Sequence, residues 1–139
     1  MSQQVVPAIR DITQGQPAIA GARLGLIFDL ADLAGLIDVE NVAWRAQIRP
    51  LAGHPVVLYE WRTGGSAQYP GSETAVDRAG SKLRLSASSA QTRVHLSPLL
   101  QTEYPSPWRI ELGFYAPDAP DDFICIGVGD FPVAPGLVA

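Results

Sequence analysis

Residues 108–114 read W-R-I-E-L-G-F, in which Trp108, Ile110, Leu112 and Phe114 alternate with Arg109, Glu111 and Gly113. Strict alternation over this length marks a β-strand with one face buried and the other wet, whereas helical geometry would scatter the four apolar side chains around the axis. Residues 42–49, V-A-W-R-A-Q-I-R, repeat the rule. Val42, Trp44, Ala46 and Ile48 fall on one face and Arg45, Gln47 and Arg49 on the other, and Pro50 follows as a stop because it has no N–H for a ladder.

Working outward, shorter apolar runs at 22–28, 56–61, 82–86, 123–128 and 131–133 are each bounded by Gly, Pro, Asp or Ser, which brings the expected strands to about seven. Between Phe114 and Phe123 the chain reads Y-A-P-D-A-P-D-D, a run of turn residues that predicts a hairpin joining the last two long strands. Residues 88–100 break the pattern. There Ser88 or Ser89 can cap a short helical turn, with Val94, Leu96 and Leu99 expected to face the core and Pro98 to end it. Residues 30–39 suit a loop, given Gly35 and the acidic residues around it.

The chain has 139 residues, and its twelve prolines and thirteen glycines are spread along the whole length, so they punctuate short elements within one domain and mark no linker. The expected fold is all-β: two antiparallel sheets packed face to face, about seven strands and one short helical turn, with the three tryptophans in the interior. Residues 1–16 are expected as an extended N-terminal arm.

Composition narrows the function. Charged residues make up only 17%, so part of the surface is expected to face protein, and a net charge of −4 argues against nucleic acid as a partner. The single cysteine, Cys125, supports no disulfide framework, zinc site or redox pair, and it reads as core. The N-terminus lacks the basic and apolar regions of a signal peptide and no stretch approaches a spanning helix, so no membrane partner is expected.

Signs of catalysis are sparse. His54 lies in A-G-H-P and His95 on the helical turn, neither in a metal-ligand spacing. R-T-G-G-S at 62–66 lacks the lysine and helix start of a phosphate cradle, and Asp118, Asp121 and Asp122 lack calcium-loop spacing and read as turn residues. Pairs such as Asp29 with Asp32 or Asp38 with Glu40 come with no sign of a sugar cleft. No catalytic residue, cofactor, metal or small-molecule substrate is expected. Tyr59, Trp61, Tyr69, Tyr104 and Tyr115 are residue types enriched where proteins meet, and Trp61 precedes a long Gly-rich loop that can reach a neighbour.

Taken in order, W-R-A-Q-I-R at 44–49, L-R-L-S at 83–86, Thr92 with Leu96 after it, W-R-I-E-L at 108–112 and the closing G-D-F-P-V resemble the small immunoglobulin-like β-sandwich structural proteins of tailed-phage virions. Such proteins often begin with a segment like I-T-Q-G at 12–15. The resemblance implies a virion component of the tail, baseplate or neck, made in the host cytoplasm, repeated in a symmetric assembly, and docking on other virion proteins or anchoring a fibre. For that role Arg45, Arg49, Trp61 and Tyr69 are the expected interface residues. Two other functions fit the same residues: a capsid decoration protein, and a carbohydrate-binding module with Trp61, Tyr69 and Tyr104 stacking on sugar rings.

Overall fold

A computed structural model describes residues 9–33, 38–39, 41–51, 53–65, 68–69, 72–77, 82–95 and 107–134. Within them the chain forms β1 (Arg10–Asp11), β2 (Ala18–Ile19), β3 (Leu24–Asp29), β4 (Ala43–Arg49), β5 (Tyr59–Arg62), β6 (Ser72–Asp77), β7 (Lys82–Ala87), α1 (Ser89–His95), β8 (Trp108–Tyr115), β9 (Ile124–Phe131) and β10 (Val133–Ala134). Among the described residues the protein is all-β apart from one short helix.

The two strongly alternating segments become neighbours. β8 pairs antiparallel with β4 from Trp44 opposite Phe114 to Ile48 opposite Ile110, and with β9 on its other side, joined by the expected hairpin. Trp44, Ala46, Ile48, Trp108, Ile110 and Leu112 thereby share one buried face. The β8–β9 register slips between Leu112 and Gly113, and the extra β9 residue at the slip, Ile126, is buried in the core.

The sheet pattern departs from two antiparallel sheets. Three sheets form: a five-stranded one in the order β1-β9-β8-β4-β5, a three-stranded antiparallel one in the order β3-β7-β6, and a two-stranded one of β10 and β2. β1 runs parallel to β9 and β2 parallel to β10, so the large sheet is mixed. The cause lies in residues 9–16, which do not project as an arm. The Ile12 amide donates to the Val128 carbonyl at 2.9 Å and the Gln14 amide to the Asp130 carbonyl at 3.0 Å, and Ile12 is buried. This close approach requires glycine on β9. A Cβ at Gly129 would stand 2.2 Å from the Thr13 nitrogen, and one at Gly127 would stand 2.8 Å from the Ile12 side chain. Residues 1–8 lie outside the described residues.

Three further differences have local causes. β6 lies just past the Gly-rich segment at 62–72; its S-E-T-A-V-D carries little apolar alternation, yet it pairs with all six residues of β7. Residues 131–133 are not one strand: Phe131 ends β9, Pro132 interrupts, and β10 crosses to pair with β2. In α1 Val94 faces outward, 62% exposed, and the buried residue is Thr92. Leu96, Pro98 and Leu99 lie outside the described residues.

Ser88 caps α1, its hydroxyl accepting from the Gln91 amide at 3.2 Å, and Arg93 and His95 in the last turn suit the negative end of the helix. Seven residues are too few to hold a helix alone, so tertiary contacts must do so. The Thr92 hydroxyl donates to the Ala22 carbonyl at 2.8 Å and accepts from the Gly21 amide at 3.1 Å. Residues 30–33 and 38–39 are irregular, as the loop reading requires, but Leu30, Leu33 and Val39 are buried.

The core is one cluster that draws on both larger sheets: Trp44, Tyr59, Trp61, Trp108 and Ile110 from the five-stranded sheet, and Leu24, Leu26, Phe28, Leu83 and Leu85 from the three-stranded one. All three tryptophans are buried. The Trp61 indole N–H donates to the Ser86 carbonyl of β7 at 3.0 Å, and the Trp44 indole to the Val39 carbonyl at 3.0 Å, so each large ring is buried with its polar atom satisfied.

Gly129→Ala is expected to lower unfolding free energy by about 1–3 kcal/mol in urea denaturation, against about 0.5 kcal/mol or less for Gly25→Ala, where nothing lies within 4 Å. Thr92→Val keeps the volume but leaves the Gly21 amide and Ala22 carbonyl unpaired, with an expected cost of about 1–3 kcal/mol by the same measurement.

Candidate functional site

Pairing of the strands turns separate alternations into a surface. On the outer face of the five-stranded sheet, Arg62 lies opposite Arg45 and Arg45 opposite Gly113; the next row runs Glu60, Gln47, Glu111; the third runs Arg49, Arg109, Asp130. Each side chain stands here because its strand neighbour, one residue away, is pinned in the core. The result is a charged face whose side chains are largely covered by one another: Glu60 is 14% exposed and Arg49 20%.

Two pairs of like charges face each other directly, Arg45 with Arg62 and Arg49 with Arg109, an arrangement that destabilises a sheet unless carboxylates intervene. They do for three of the four. Arg49 lies 3.8 Å from Glu111, Arg62 lies 3.3 Å from Glu60, and Arg109 lies 2.7 Å from Asp130. Gln47, nearly buried, links the rows by donating to Glu60 at 2.5 Å while accepting from Arg49 at 2.6 Å. Arg49 also donates to the His54 carbonyl at 2.7 Å. At the β1 edge, the Thr13 hydroxyl and amide both donate to Asp11 and hold its carboxyl below the usual range.

Arg45 is different. Its guanidinium carbon lies 3.9 Å from the centre of the Phe123 ring, and that ring covers Gly113, where a Cβ would fall 2.4 Å from it. Burial first and the Arg62 charge second pull the Arg45 guanidinium below its ordinary value. Among the described residues its Nε is closed to solvent and has no acceptor.

Of the four expected interface residues, the structure brings Arg45 and Arg49 onto this face and removes the other two. Trp61 points the opposite way and is fully buried, and Tyr69 packs against Tyr59 at 4.8 Å with its hydroxyl donating to the Val57 carbonyl at 3.2 Å. Both are core aromatics, and burial raises the Tyr69 phenol. His95 joins their cluster edge-on, 4.9 Å from the Tyr69 ring, and the His54 Nδ1 accepts from the Val56 amide at 3.0 Å. Tyr104 lies outside the described residues. Glu60, Arg62, Phe123 and Asp130 were not singled out by sequence, because their place on the face depends on which strands adjoin.

Elsewhere, a cleft of about 460 Å³ opens between residues 14–19 and β3, with Gln14, Gln16 and Arg23 as its polar side chains and Leu24, Leu26 and Phe131 at its floor. Among the described residues no group of three His, Cys, Asp or Glu side chains converges as metal ligands. No protein-family model and no curated protein matches the chain.

Cys125 lies opposite Gly113, half-buried, its thiol pushed up by burial first and held there against a hydrogen bond to the Gly127 carbonyl. Iodoacetamide at pH 8 is therefore expected to label Cys125 several-fold more slowly in the folded chain than in urea, as followed by intact mass.

Proposed function

We propose that this chain is a structural subunit of a tailed-phage virion, of the tail, baseplate or neck, folded as an immunoglobulin-like two-sheet sandwich that docks on neighbouring subunits or anchors a fibre. The observation that carries this reading is the outer face of the five-stranded sheet. It is regular over four strands, rich in arginine, and already ordered by its own ion pairs and by Gln47, so little side-chain freedom remains to be lost on contact. Arginine in that state is the charged residue best suited to protein interfaces.

The segments that resemble virion proteins support the same reading. W-R-A-Q-I-R forms β4, W-R-I-E-L forms the first part of β8, L-R-L-S lies in β7, and G-D-F-P-V spans the end of β9 and the start of β10. The common core of the two larger sheets favours the sandwich as the finer description. The carbohydrate reading loses two of its three stacking platforms, since Trp61 and Tyr69 are buried. Decoration of a capsid would use the same outer face and differs only in address.

Mass spectrometry of phage-like particles from cells that carry the gene, separated into heads and tails, tests the proposal. The expected outcome is many copies in the tail fraction; recovery with heads alone replaces the tail by the capsid, and recovery with neither overturns the virion reading.

A further inference from the structure

Charge on the outer sheet face balances except at one corner. Arg49, Arg62 and Arg109 each have a carboxylate within 4 Å, whereas Arg45 has no ion pair or hydrogen bond among the described residues. Arg62, directly opposite, has only Glu60, so this corner holds two guanidinium groups against one carboxylate. The Arg62 Nε faces Glu60 at 3.3 Å without hydrogen-bond geometry, so that pair is loosely made. Half-buried cations left in this state are costly, and a carboxylate that reaches both is the complement that relieves them.

The same corner carries the opposite surplus. Phe123, whose ring lies on Arg45, directly follows the turn that joins β8 to β9. That turn is tightened by hydrogen bonds from the Ala119 amide to the Ala116 carbonyl and from the Asp122 amide to the Ala119 carbonyl, and it presents Asp118, Asp121 and Asp122. All three are exposed, and none has an ion pair among the described residues. No ion pair joins any of them to Arg45 among the described residues. A surplus of cationic charge beside exposed anions forms a patch that complements itself across a two-fold axis.

We infer that this corner is a self-association contact, in which the acidic turn of one copy places Asp121 and Asp122 on Arg45 and Arg62 of a second copy, and the second copy returns the contact. The inference rests on the reading of the outer sheet face as a docking surface and supplies its partner, another copy of this chain. Phe123 contributes by holding the Arg45 guanidinium in place, so that its free edge meets the incoming carboxylates already oriented.

Sedimentation equilibrium on the full chain, with two charge-reversed variants, tests this. The unaltered chain is expected to dimerise, and to do so less as salt rises from about 0.05 M to about 0.5 M. Arg45→Glu alone, and Asp121→Arg with Asp122→Arg, are each expected to weaken dimerisation about tenfold or more. Mixing the two variants is expected to restore much of it, because the mixed pair keeps one unaltered contact and brings opposite charges together at position 45 in the other. Thermal melts verify that each variant folds, and Arg62→Glu replaces Arg45→Glu if that variant does not. A chain that stays monomeric up to about 1 mM, variants that dimerise like the parent, or a mixture that fails to recover overturns the contact. Such a result in a chain found in particles refutes the contact alone and leaves the virion reading standing, whereas restored pairing in a chain absent from particles supports the contact and removes the virion reading.

Discussion

The double pairing of β8 is the constraint on which the remainder depends. With β4 on one side and β9 on the other, its alternation is copied across three strands, and a slip of one residue in either pairing would turn Trp108, Ile110 and Leu112 outward and bring Arg109 and Glu111 into the core. Burial of such side chains is worth about 1.5–3 kcal/mol each, a large part of the net stability of a domain this size. The register is therefore held by hydrophobic burial, and the charged face follows as its reverse side.

That face shows how one alternation serves two ends. The side chains opposite the core could have remained solvated and independent, but cross-strand placement gathers them into rows where arginines face arginines. Glu60, Glu111 and Asp130 offset three of these charges, and Gln47 ties the rows together. The price of this order is Arg45, which among the described residues meets an aromatic ring in place of an anion. Surface ion pairs of this kind add little to stability on their own, so the register is held chiefly by the buried side of the same strands.

Glycine decides where the chain can pass close to itself. Gly127 and Gly129 let residues 12–13 lie against β9, and Gly113 makes room for Phe123. Without the first two, the N-terminal segment would lose its parallel pairing and the large sheet would keep only antiparallel strands. The mixed character of that sheet is thus written in β9, although the segment it accommodates lies more than a hundred residues earlier.

From sequence alone, alternation marked 42–49 and 108–114 as strands and which of their side chains face inward, turn residues marked the β8–β9 hairpin, and Ser88 or Ser89 marked the start of a helical turn. These are local properties, set by the two-residue period of a strand and by the backbone preferences of Pro, Gly, Asp and Ser. Only the tertiary structure decided that residues 72–77 pair as β6, that the N-terminal segment joins the sheet, and that Trp61 and Tyr69 lie in the core while Arg45 stands beside Arg62. Those outcomes depend on which strands adjoin, and adjacency is fixed by burial and backbone pairing between residues far apart in the chain, which no local pattern encodes.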